Sequence, residues 1–393
     1  MVTLDEGLSQ LLDLFRRHGE HTRADLVART GLSRTSVGQR LDALVAANLL
    51  SGQSADVQTK GRPADRFLFN ADRGYVLAAD IGVTHSRVGL CNLAGEILHE
   101  TVLAVDVTTG PEGVMDELMT AFRALETAQD VRATDILGIG VGIPAPVKAN
   151  AGFTVNPPIM PNWNRFDVPA WFSTRYSVPV VLEKDANIMA YGEARFEFPD
   201  IANLMFVKVG TGIGSGFMLG GQLFRGSDGA AGDIGHTLAE NVQPDEGPLC
   251  KCGNHGCLEA FAGGWAMLRD LKASGEPRYQ SADLLELISA GDPRALESVR
   301  RSGRLIGSAI ASAINLVNPR MVVIGGGVVT AGGDHLFAGI REMVYRRSHP
   351  LATAELRIER SRLYPRGGLM GLASLVVDAI LSPERIGELL SPQ

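Results

Sequence analysis

Four residues late in the chain have the types and spacing of a metal site. His236 precedes the run Cys250-Lys-Cys252-Gly-Asn-His-Gly-Cys257. Three thiolates and an imidazole make a closed tetrahedral set, the kind that holds a structural zinc and leaves no position for a reacting water. His255 lies inside the loop and competes with His236 for the fourth place. Cys91, the other cysteine, stands alone. In a reducing compartment such a cluster points to a metal rather than to disulfides.

Polar residues bracket this knuckle. Asp233, His236 and Glu259 are carboxylates and an imidazole, suited to paired hydrogen bonds with vicinal hydroxyls. Asp185 follows a β-branched strand and opens a helix. It serves there either as a general base toward a sugar hydroxyl or as a plain helix N-cap. Three glycine turns have backbone N–H groups able to cradle phosphates. They are Asp80-Ile81-Gly82-Val83-Thr84, Gly210-Thr211-Gly212-Ile213-Gly214-Ser215-Gly216, and Gly325-Gly326-Gly327. Ordinary hairpins use the same residues.

A second kind of chemistry sits near the N-terminus. Ala24–Thr30 reads as a short helix, Gly31-Leu32-Ser33 as a tight turn, and Arg34 onward as a second helix with Val37, Leu41, Leu44 and Val45 on one face. Ser33 is placed as its N-cap. A helix-turn-helix presents the start of its second helix to base edges in the major groove. Here that start offers Ser33, Arg34, Thr35 and Ser36, with Gln39 and Arg40 one turn on. Thr59-Lys60-Gly61-Arg62-Pro63 then reads as a wing between two short strands, with Lys60 and Arg62 placed for a narrow minor groove.

These residues must be held by elements that the pattern also shows. Leu8, Leu11, Leu12 and Phe15 recur at helical spacing, so a helix over 4–18 precedes the helix-turn-helix. The texture changes near residue 72. Tyr75–Leu98 and Leu204–Gly226 each read as three apolar strands separated by glycine turns, the mark of a duplicated lobe. Between and after them strand and helix signals alternate, as in α/β domains. A long helix ends at Asn318-Pro319, and Met321–Val329 is a buried strand running into the triple-glycine turn. Three units follow: 1–71, an α+β winged helix-turn-helix; 72–195, a first α/β lobe closed by a C-terminal helix over about 366–393; and 196–365, a second lobe carrying the knuckle.

The bulk numbers narrow the function. The chain has 393 residues, 45% hydrophobic and 21% charged, which suits a globular protein of two or three domains. A net charge of −7 excludes a wholly basic coat, so any DNA contact is local. The start MVTLDEGLSQ is polar and acidic, and no apolar run is long enough to span a bilayer. The expected location is the cytoplasm, without a membrane partner.

Together these residues resemble the ROK family, named for repressor, open reading frame and kinase. The most specific match is Gly235-His236, the Cys250/Cys252/Cys257 knuckle and Glu259. Next come Asp80-x-Gly82-x-Thr84, the Gly210–Gly216 turn and Glu183-x-Asp185-Ala186-Asn187. The resemblance implies an actin-like, two-lobed sugar-kinase fold, with the winged helix in front as in the family's transcriptional regulators. It implies zinc on His236, Cys250, Cys252 and Cys257, a sugar held by Asp233, His236 and Glu259, and Asp185 as the kinase base. Two departures turn this away from catalysis. Val83 stands where family kinases have a second glycine, and Lys184 stands where they have a sugar-contacting asparagine. In addition, Asp233 replaces the commoner glutamate, and the gap from His236 to Cys250 is longer than usual. The resemblance thus implies a sugar-responsive regulator, a homodimer or homotetramer on double-stranded operator DNA. ATP and magnesium enter only where kinase activity survives.

Overall fold

The computed structural model describes residues 4–53, 65–83, 85–243 and 245–390. Its first helix, Leu4–His18, buries Leu8, Leu11, Leu12 and Phe15. The next helix, Arg23–Thr30, is closed at its start by a capping box: the Thr22 hydroxyl accepts from Asp25 N, and the Asp25 carboxylate accepts from Thr22 N. It ends at Gly31, whose φ of +68° is the left-handed cap that glycine adopts without a Cβ penalty. Ser33 then caps the helix Arg34–Ala46, accepting from Ser36 N at 3.1 Å. Val37, Leu41 and Leu44 face inward as expected, but Val45 is 40% exposed. One residue past Leu44 turns the helix by about 100°, which carries Val45 off the core stripe.

Strands Leu50–Gln53 and Arg66–Phe69 pair antiparallel, with Leu50 opposite Phe69 and Gln53 opposite Arg66. His21–Thr22 adds a third strand on Arg66 and Phe67, which the sequence does not announce. Lys60, Arg62 and the rest of the expected wing tip lie outside the described residues.

The body contains two five-stranded sheets of one topology. The first runs, edge to edge, Ile97–Leu103, Ser86–Asn92, Tyr75–Ile81, Ile136–Ile143, Val180–Lys184. The second runs Gln222–Phe224, Ile213–Leu219, Leu204–Val209, Met321–Gly325, Arg357–Arg360. In each, the first three strands along the chain form an antiparallel meander, and the last two add parallel to its first strand. The internal similarity seen in sequence is this shared order. Helix Pro111–Ala128 covers one face of the first sheet, and helices Pro293–Val317 and Gly327–Arg347 pack together on the second.

Two helices join the lobes. Asp185–Gly192 lies between the strand Ile213–Leu219 and the C-terminal helix Gly367–Ile380, and the approach is backbone to backbone on both sides. A Cβ at Gly216 would stand 2.5 Å from Ala186 O, and one at Gly371 would stand 1.9 Å from Ile188 O. The C-terminal segment is two helices rather than the one expected. It breaks after Ile380 at Leu381-Ser382-Pro383 and resumes as Ile386–Leu390. The short second helix packs on both the first helix and Arg34–Ala46, so the N-terminal domain is seated on the body by its C-terminus.

Candidate functional site

The site begins at the end of the strand Val180–Lys184. A parallel strand delivers its last residues to the edge where the loops of an α/β sheet gather. Glu183, Lys184 and Asp185 stand there, all buried, and each is held by the second lobe. Glu183 Oε2 accepts from Arg225 Nε at 2.6 Å. Its Oε1 accepts from Lys184 N and from Asn187 Nδ2. Lys184 Nζ donates to Ala231 O at 2.7 Å, which ties it to the loop that leads to Asp233. Burial lowers the pKa of Lys184, and the fields of Asp233, Asp185 and Glu183 oppose that shift.

Asp185 is the first residue of its helix rather than the N-cap, a place taken by Lys184 without a side-chain bond. Both its oxygens are engaged. Oδ1 accepts from Ala186 N at 2.6 Å, and Oδ2 accepts from Lys208 Nζ at 2.5 Å. A general base needs a free lone pair aimed at the proton it removes. In this arrangement one lone pair on each oxygen is already committed, and on Oδ2 it is committed to the Lys208 ammonium.

The four metal-site residues converge. The His236 and cysteine donor atoms all lie within 4.8 Å of one another. His236 Nδ1 is 3.6 Å from Cys250 Sγ, and Cys252 Sγ is 3.6 Å from Cys257 Sγ. Zinc at about 2.3 Å from sulfur and about 2.0 Å from nitrogen sets tetrahedral edges of roughly 3.5–3.8 Å, so the cluster fits that ion. Burial, then the neighbouring thiols, push Cys257 up to about 12. Three thiolates this close repel one another, and a cation between them removes that repulsion. Gly253 and Gly256, at φ +95° and +75°, make the turns that fold the loop back on itself. His255 is turned away, its Nδ1 3.1 Å from Gly247 O.

The knuckle positions sugar-site candidates on either side. Asp233 is exposed, one turn before His236. Glu259 is buried, and its carboxylate braces the glycine turn. Oε2 accepts from Ile213 N at 2.9 Å, and Oε1 accepts from Trp265 Nε1 at 3.2 Å. A Cβ on Gly212 would stand 2.3 Å from Glu259 Oε2, so this brace requires glycine there.

Two phosphate-turn candidates meet. Gly326, at φ +115°, lies where a Cβ would be 2.3 Å from Val209 O, which sets Gly325-Gly326 beside Gly210-Thr211-Gly212. Gly210 N donates to Gly212 O, and Gly264 N and Trp265 N donate to the carbonyls of Gly210 and Thr211. In the first lobe Gly82 N closes a hairpin on His85 O at 2.9 Å. Thr84 lies outside the described residues. Burial pushes Asp80 up to about 6, with Lys208 drawing it down and Asp185 adding to the rise.

On the N-terminal domain Ser33, Arg34, Thr35 and Gln39 are exposed on one helix start, with Ser36 beside them half-buried. Arg40 is not on that face. It is 7% exposed and packs on Gly7 of the first helix, where a Cβ would meet its Nε at 2.2 Å.

Sequence reasoning gave no role to Lys208, Arg225 or Glu183. The signal was present for Lys208, a lone charge in the apolar strand Leu-Met-Phe-Val-Lys-Val. Its partner lies on the other lobe, which no spacing reveals.

The family model described as "ROK family" matches residues 76–379. The xylose repressor of Bacillus subtilis is 26% identical over 94% of this chain and 94% of its own length. The glucokinase of Thermotoga maritima is 31% identical over 78% of this chain and 98% of its own. Among solved structures, a ROK family transcriptional regulator, a homologue of the E. coli MLC protein, superposes with a TM-score of 0.83 at 25% identity. It covers 98% of this chain and 99% of the other. A Streptomyces griseus ROK glucokinase with glucose and AMPPNP covers 77% of this chain and 99% of its own, at TM-score 0.66 and 28% identity.

Proposed function

The chain belongs to the ROK family, and on that premise we propose that it is a sugar-responsive transcriptional repressor of carbohydrate genes. The observation that carries this reading is the seating of the N-terminal domain on the C-terminal helix, which in turn packs on the helix that starts at the candidate sugar site. The Asp185–Gly192 helix starts at the candidate sugar-binding residues and carries Tyr191 near its other end. The Tyr191 hydroxyl donates to Asp378, and Asp378 takes Arg16 Nη1 of the first helix at 2.7 Å. Arg195 adds a contact to Asp13 at 3.7 Å, and Ser9 Oγ donates to Leu381 O at 2.7 Å.

Lys184, Asp185, Asp233, His236 and Glu259 form the sugar site, and His236, Cys250, Cys252 and Cys257 hold a structural zinc that fixes the loop carrying two of them. His236 uses Nδ1 toward the metal, which leaves Nε2 for the ligand. Sugar binding shifts the balance between two lobe arrangements, and the first helix feels the shift through Asp378. Ser33, Arg34, Thr35, Ser36 and Gln39 read the major groove, and Lys60 and Arg62 on the wing reach phosphates and the minor groove. The protein acts in the cytoplasm as a homodimer or homotetramer on a pseudo-palindromic operator.

The alternative is a sugar kinase with an appended DNA-binding domain, using ATP and magnesium at Asp80, Gly82, Thr84, Gly210, Thr211, Gly212, Gly325 and Gly326. The likeness to glucokinases favours it, and the double engagement of Asp185 opposes it. An operator titration on DNA selected from the source genome, with and without xylose, glucose and their phosphates, separates the two. A sugar-dependent change in midpoint is expected. ATP-dependent phosphorylation of a sugar, with operator affinity blind to sugars, sinks the repressor reading.

A further inference from the structure

Lys208 stands at a strand position with no side chain beside it. The two residues paired across from it are Gly214 on one neighbouring strand and Gly325 on the other. Its stem therefore runs unobstructed out of the second lobe. Nζ ends 2.5 Å from Asp185 Oδ2, and its field also acts on Asp80. Both carboxylates belong to the first lobe, so this one ammonium reaches across from the second lobe toward both. Burial lowers the pKa of Lys208, but the fields of Asp185 and Asp80 and the hydrogen bond that Lys208 donates to Asp185 outweigh it and leave the pKa raised. The group is a permanent cation at neutral pH.

Transfer of a phosphoryl group requires a divalent ion that carboxylates hold on one side and phosphate oxygens on the other. An ammonium satisfies the carboxylates with a single charge. It offers hydrogen bonds but no coordination position for a phosphate oxygen. We propose that Lys208 is a built-in counter-ion that takes the divalent-cation position between Asp80 and Asp185, so that the cleft holds its ligand and does not phosphorylate it. This rests on the repressor reading above and names the residue that separates it from a kinase. Lys208 acts through Asp80 and Asp185, as a positioning residue.

Zinc-loaded full-length protein is titrated with Mn2+ alone, and free Mn2+ is read by electron paramagnetic resonance. Lys208→Ala is expected to bind about one more Mn2+ than the wild type, at least tenfold more tightly, and adding Asp80→Asn is expected to abolish that gain. Lys208→Met, which keeps most of the stem and removes the charge, guards against collapse of the cleft and is expected to show the same gain. Wild-type protein that binds this Mn2+ as tightly as the variants overturns the proposal. So does the absence of a gain in either variant that retains the wild-type circular dichroism. Operator titration of the same wild-type sample tests the repressor reading separately, because its result does not depend on Mn2+.

Discussion

At the residue scale, the His236–cysteine cluster and Asp80 make opposite demands on charge. Cys252 is the more exposed of the knuckle cysteines, so replacing it removes a ligand with little loss of packing. Cys252→Ser is expected to lower the zinc content from near one per chain, measured by atomic absorption, and to loosen the Asp233–Glu259 segment toward proteolysis. Asp80 contributes in the other sense. Its folded pKa of about 6 lies above its ordinary value, so the folded state takes up the proton first. The resulting stability is fully present below about pH 4 and is lost as pH rises through about 6. Asp80→Asn keeps the neutral form at every pH. It is expected to exceed the wild type by on the order of 1–3 kcal/mol at pH 7.5 and to match it near pH 4. Urea unfolding at the two pH values measures the difference, and an equal offset at both refutes the assignment. The groups around Asp80 that set this window are Lys208, Asp185 and Arg87. The metal set was legible because its members fall in one short run plus a single histidine, and ion geometry chooses among few combinations. The Lys208–Asp185 and Arg225–Glu183 pairs were not, because each joins two lobes and nothing in the local pattern marks the partner. Arg40 shows the reverse error. Its position one turn beyond Ser36 suits DNA, but the first helix arrives over it through Gly7, a tertiary approach that helical spacing does not contain.

At the element scale, most of the elements named from the sequence recur as helices and strands because periodicity, caps and glycine turns agree locally. Thr22, Ser33 and Gly31 punctuate the helix-turn-helix with their own hydrogen bonds and dihedrals. Ser33→Ala is expected to cost about 1 kcal/mol by thermal unfolding and to weaken operator binding, since it frees the first turn of the reading helix. The third strand at His21–Thr22 and the break in the C-terminal helix were hidden for one reason. Both are settled by what the segment packs on, not by its own composition. The same holds for the glycine contacts around the Asp185–Gly192 helix. Nothing in the local sequence marks Gly371, yet a Cβ there would stand 1.9 Å from Ile188 O. Gly371→Ala is expected to destabilise by about 2 kcal/mol or more, beyond the usual helix gain from alanine, because backbone cannot yield as a side chain does. Destabilisation near zero on chemical unfolding would show that the helix pair separates freely.

At the scale of the whole molecule, the proposed function makes that pair the path from sugar to DNA. Any displacement of Asp185 relative to the second lobe moves a helix that touches the C-terminal helix through glycine backbone, with little side-chain cushion to absorb it. The C-terminal helix carries Asp378, and Asp378 holds Tyr191 from below and Arg16 from above. The Arg16 side chain is only 5% exposed, so its charge depends on that partner rather than on water. Tyr191→Phe removes one hydroxyl and leaves both the sugar residues and the reading helix in place. If the shared carboxylate transmits the lobe movement, this variant binds operator with near wild-type affinity and binds sugar as before. The sugar-induced shift in operator midpoint nevertheless shrinks toward one. Coupling is reciprocal, so operator DNA should also lose its effect on sugar affinity by the same factor. Asp378→Asn should act in the same direction and more strongly, because it disturbs the Arg16 pair as well. A full sugar response in both variants, measured by fluorescence anisotropy of labelled operator at fixed salt, would mean that the signal crosses elsewhere. Two other polar contacts between the body and the first helix, Arg195 with Asp13 and Ser9 with Leu381, would then be next to carry it.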